Sequence, residues 1–227
     1  MAARIPVYLE CGAKRTFAGA VEWPGWCVSA RAAEAALQAL FEAGPRYERI
    51  VSAAGLRFEA PGDVAAFDLV ERLQGNATTD FGAPAVAPAA DARPLDADEL
   101  RRQQAVLQAC WRALDAAAAA AAGKELRKGP RGGGRDLDGI MRHVEESERG
   151  YLSALGWRSR PETGGDGEAT HAALRSAVLE GVAAAAGGQI PAQGPRGRAH
   201  WSPRYLVRRA AWHAVEHAWE IEGRALP

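Results

Sequence analysis

The chain is expected to be α+β: a small N-terminal β-β-α-β module over 1–60, a linker or extended segment over 61–95, and a four-helix bundle over 96–227. Three observations predict this. Short β-rich runs are confined to the first sixty residues. The stretch FGAPAVAPAADARP, rich in Ala and Pro with little to bury, separates the two halves. From residue 96 apolar residues recur at helical spacing. A length of 227 residues suits one large domain or two small ones.

IPVYLEC (5–11) and TFAGAVE (16–22) read as strands joined by the turn-like GAKR. WPGW (23–26) is a breaker between aromatics. SARAAEAALQALFEAG reads as a helix capped by Ser29, with Ala33, Leu37, Leu40 and Phe41 as its stripe and Gly44-Pro45 as its stop. YERIVSAAGLRFEA (47–60) reads as a further strand or strand pair. In the second half, helices are expected over 96–122, 136–155 and 168–186, with a basic, Gly-rich loop at 124–135. The fourth opens at Ser202-Pro203, Ser as N-cap and Pro at the first helical position.

The totals exclude several classes. Lys+Arg and Asp+Glu both count 28, so nothing favours nucleic acid or an anionic membrane surface. Cys11, Cys27 and Cys110 form no CxxC and are too few for a disulfide framework, which points to a reducing cytoplasm. The opening MAARIPVYLECGAKR lacks a continuous apolar stretch, so no secretory leader is expected. The alanine run at 116–122 is too short to span a bilayer. KGPRGGGR lacks the GxxxxGK[ST] spacing of a phosphate loop.

The most informative feature is a histidine pair, His213 and His217, in YLVRRAAWHAVEHAWEIEGR. Positions i and i+4 share one helix face, so both imidazoles reach one point. They lie in line with Leu206, Ala210 and Ile221, the face expected to be buried. His143 lies at the edge of the apolar stripe of the 136–155 helix and supplies a third donor. Three imidazoles with positions left open suit a catalytic divalent ion, with zinc or nickel the first expectations. HExxH is absent, because Ala214, Val215 and Glu216 stand between the pair.

RRAAWHAVEHAWEIEGR and IMRHVEESERGYLSALG resemble the matching helices of the DinB-like superfamily over roughly residues 96–224. The resemblance implies a four-helix bundle holding a metal on one histidine of its second helix and an HxxxH pair of its fourth. Here those are His143, His213 and His217. The superfamily includes YfiT-like hydrolases and bacterial thiol transferases that use mycothiol or bacillithiol. A low-molecular-weight thiol is therefore a possible second cofactor. EWPGWCVSARAAEAALQAL is similar to the PDLPGC-type strand-to-helix segment of HicB-like antitoxin domains, which pair with a partner protein. No basic helix-turn-helix accompanies it, so the module is expected to serve as a lid, substrate wall or dimer element.

Glu148, Tyr151 and Glu216 are candidate acid/base helpers by proximity in sequence, and Arg208 and Arg209 are candidates for an anionic cofactor or substrate group. Trp212 and Trp219 read as core or interface packing, which makes a homodimer plausible, and Cys27 as a buried thiol. Two functions of different kinds follow. One is a metal-dependent transferase, isomerase or hydrolase acting on a small molecule through a thiol or water. The other is a non-catalytic binding protein whose N-terminal module contacts a partner and whose metal, if any, is structural. A third expectation treats the histidines as satisfied core groups.

Overall fold

The computed structural model describes residues 4–128, 133–157 and 167–226, with the side chains of 167–170 left aside. It is α+β: a four-stranded mixed sheet followed by helices. The strands are β1 (Ile5–Cys11), β2 (Thr16–Ala20), β3 (Cys27–Ala30) and β4 (Phe67–Gln74), in the spatial order β3-β2-β1-β4. β1 pairs antiparallel with β2 and parallel with β4, and β2 pairs antiparallel with β3.

The first helix, α1 (Ala33–Ser52), corrects three expectations. Ser29 lies in β3 and does not cap; Ala32 holds the N-cap position without a side-chain bond. Gly44-Pro45 does not stop the helix, which continues to Ser52 and takes in the strand expected from residue 47. Tertiary packing overrides the local cost of the proline. Tyr47 and Val51, beyond it, are fully buried in the core under the sheet. The Tyr47 ring stacks on Trp26 at 6.0 Å, and its hydroxyl donates to the Pro24 carbonyl at 2.7 Å. Gly44 is a point of close approach, where a Cβ would stand 3.3 Å from that of Ala60. WPGW is the turn between β2 and β3, with Gly25 at φ +94°.

The segment expected as a linker also does more. β4 closes the parallel edge of the sheet, and a short helix α2 (Ala77–Phe81), capped by Asn76, follows it. The next loop is held by a buried carboxylate, Glu10 of β1. It accepts from Ala85 N at 2.9 and 3.1 Å, from Val86 N at 3.1 Å and from the Thr79 hydroxyl at 2.5 Å.

Four long helices, α3 (Ala97–Ala121), α4 (Leu137–Leu155), α5 (Gly167–Ala186) and α6 (Pro203–Arg224), share one apolar core. Their starts follow the expected chemistry. Asp96 forms a capping box with Glu99, and the Ser202 hydroxyl accepts from Tyr205 N at 3.1 Å with Pro203 at the first helical position. α4 ends on Gly156 in the left-handed region. The loop with Pro161 falls outside the described residues.

The sheet is covered on both faces, as its period of two requires. Val7, Leu9, Ala18 and Ala20 face α1. From the opposite face, Phe17 meets Trp212 of α6 edge-on at 5.9 Å, and the Tyr8 ring lies under the Arg208 guanidinium at 5.3 Å. α6 is therefore held between the sheet and the other long helices. Most of its residues from Arg204 to Ile221 are buried, including Leu206, Ala210 and Ile221.

Candidate metal centre

His213 and His217 project from α6 toward α4, where His143 meets them. Nε2 of His213 stands 3.0 Å from Nε2 of His217 and 3.2 Å from Nε2 of His143. These are the only His, Cys, Asp or Glu donors among the described residues that converge in a group of three. His213 is 6% exposed and His217 8%, while His143 is half-buried and gives the cluster its open side.

The donor set fits a divalent ion. His217 Nδ1 lies 2.7 Å from a carboxylate oxygen of Glu220, one helical turn on. An ionised carboxylate only accepts, so that nitrogen carries the hydrogen and Nε2 offers a bare lone pair to the cluster. A single hydrogen on His213 Nε2 cannot serve both neighbours, whereas a cation shared by all three can. With metal–nitrogen distances of about 2.0–2.1 Å, tetrahedral ligands stand about 3.3 Å apart, close to the separations found.

Burial is the main force on the titration of His213 and His143. It pushes His213 down to about 2, helped by the neighbouring His217, His143 and Arg209. His143 is lowered by burial, then by Arg135 and His217. Glu220 is held below its ordinary value, first by its hydrogen bond to His217. Both shifts favour the neutral imidazole at His213 and His143, which leaves their lone pairs available.

Glu220 has support of its own. Its other oxygen accepts from Arg224, whose guanidinium also donates to the carbonyls of Arg127 at 2.9 Å and Arg135 at 2.7 Å. The loop between α3 and α4 is thereby fastened to the end of α6, where Leu126 also bridges Ala225. Glu220 was missed in sequence, although its i+3 spacing from His217 was a readable signal.

The candidate helpers fare differently. Tyr151 is half-buried beside the centre, its ring 6.1 Å from that of His213, with burial raising its hydroxyl. Glu216 is exposed and makes no hydrogen bond to a histidine. Glu148, 1% exposed, turns into the core instead, where it accepts from Trp111 Nε1 at 2.5 Å; burial pushes it up to about 7. Arg208 is not available for a ligand. All three of its nitrogens are engaged, by both oxygens of Asp91 at 2.7 Å and by the carbonyls of Ala20 and Val21 at 2.8 Å. Arg209 lies one turn before His213, with its guanidinium over the rings of Tyr151 and Trp212. Cys27 is buried and its thiol pushed up to about 12 by that burial, which makes it a poor nucleophile. His171 faces Glu145 at 3.0 Å and His200 the Pro191 carbonyl at 2.8 Å, both apart from the centre.

No family model matches the chain, and neither do any curated protein or solved structure. No helix among the described residues is long and apolar enough to cross a membrane.

Proposed function

We propose that the chain is a metal-dependent enzyme of DinB-like type, in which His143, His213 and His217 hold a divalent ion, zinc or nickel first. The observation that carries this is the convergence of three imidazoles, with Nε2 of His213 3.0 Å from that of His217 and 3.2 Å from that of His143, and with His217 backed by a carboxylate. The order of the long helices, with histidines on the second and the fourth, supports a DinB-like bundle. The sheet with α1 supports a HicB-like module serving as a wall beside the site. A bound ion would supply Lewis acidity, making a thiol or water held at the cluster a better nucleophile at neutral pH. The residues around it have separable tasks: Glu220 orients His217, the half-buried His143 side admits substrate, and Tyr151 stands where a proton can be held close to the reacting group. A thiol nucleophile makes the reaction a transfer or isomerisation, and water makes it a hydrolysis. The three free cysteines support a reducing, cytoplasmic setting.

Metal content by plasma mass spectrometry tests the reading. The wild type should hold one equivalent after reconstitution. His143→Ala and His217→Ala should lose it, and Glu220→Gln should bind about ten- to a hundredfold more weakly. A wild type that takes up no metal, or a His143→Ala variant that keeps it, overturns the proposal.

A further inference from the structure

Arg208 and Arg209 are neighbours with opposite fates. Arg208 meets a carboxylate that neutralises it. Arg209 is only 9% exposed, yet among the described residues it forms no ion pair. Its guanidinium donates to the Pro84 carbonyl, and its Nε has no hydrogen-bond partner. A buried cation without a counter-charge is costly, and so is a buried N–H left unmade. A second orphan stands beside it. The Trp212 ring lies 5.0 Å from the Arg209 guanidinium, and its buried indole Nε1 is also unpartnered. Tyr151 covers the guanidinium at 5.6 Å and stands next to His213.

We propose that Arg209 and Trp212 form a carboxylate subsite, which takes the acid group of a small substrate while its reacting end lies at the histidine cluster. This names the substrate class for the centre proposed above and rests on that reading for its role. The charge calls for an anion, and the two orphan N–H donors match the two oxygens of a carboxylate. The N-terminal half completes the subsite. Glu10 fixes Ala85 and Val86, which sets the Pro84 carbonyl against Arg209 and so fixes the direction of the guanidinium.

The test reads the indole itself. In protein carrying ¹⁵N-labelled tryptophan, the Trp212 indole signal, assigned by loss in Trp212→Phe, is followed while propionate or its neutral analogue propionamide is added. Zinc-loaded and metal-stripped protein are titrated side by side. Propionate should move the signal with at least tenfold tighter apparent binding than propionamide, in both states. Arg209→Gln should abolish the preference and Arg209→Lys keep part of it, with the other indole signals unchanged. An indole signal that ignores propionate, or the same preference in Arg209→Gln, overturns the subsite. Failure of the metal reading is seen separately: no zinc is taken up, whatever the indole does.

Discussion

Glu148 shows how one buried carboxylate links burial to pH. Its value is pushed up to about 7, by burial first, against the lowering pull of Arg175 and the Trp111 hydrogen bond; Glu145 and Asp115 add to the rise. A folded value above the unfolded one means that the native state binds the extra proton. The contribution to stability is fully present below about pH 4.3 and is lost as pH rises through about 7. Replacing Glu148 with Gln keeps an acceptor for Trp111 and removes the charge. Urea midpoints should therefore fall less between pH 5 and pH 8 in Glu148→Gln than in the wild type; parallel slopes would contradict this account. The same residue marks a limit of reading sequence. His213 and His217 were legible because i,i+4 spacing is local and fixed by helix geometry. Whether Glu148 joined them depended on the rotation of α4 against α3, which its sequence does not encode locally.

At the scale of elements, the clearest divergence is α1. Gly-Pro is a strong local stop, yet Tyr47 and Val51 bury fully only if the helix continues. Pro45 itself is exposed, so its missing N–H is a cost with no packing return. Pro45→Ala should raise stability by about 1 kcal/mol, the helical gain being partly offset by a freer unfolded chain. Thermal melting checks this, and a lowered Tm would show that Pro45 makes a contribution its exposure hides. β4 was illegible for a different reason. FDLVERLQ is an edge strand with Asp68, Glu71, Arg72 and Gln74 in its run, and its partner β1 lies far away in sequence. The caps of α3 and α6, by contrast, were readable because each depends on residues within one turn.

For the whole molecule, the joint between sheet and helices is decisive. Arg208 of α6, Asp91 and the end of β2 meet in a buried, fully hydrogen-bonded pair. Removing one partner strands the other. Arg208→Met should cost about 3–5 kcal/mol in denaturant unfolding, and the double variant Arg208→Met/Asp91→Leu should recover much of it. A double variant no more stable than the single would mean that the carbonyl contacts dominate. The α+β division was legible from the change of period along the chain. That the sheet lies against the histidine helix was not, because contacts between Phe17 and Trp212 carry no sequence signature.

The sandwiching of α6 also sets a schedule for synthesis. The sheet has all its strands once residue 74 has emerged, and chains fold from the N-terminus as they are made. Until α6 arrives, the face bearing Tyr8 and Phe17 stays open, an adhesive surface on a half-made protein. Two of the three imidazoles travel on α6, so a ribosome paused before residue 217 presents His143 without the complete triad. Under the proposed metal reading, ion capture has to follow the arrival of α6, when the same helix closes the apolar surface and completes the cluster.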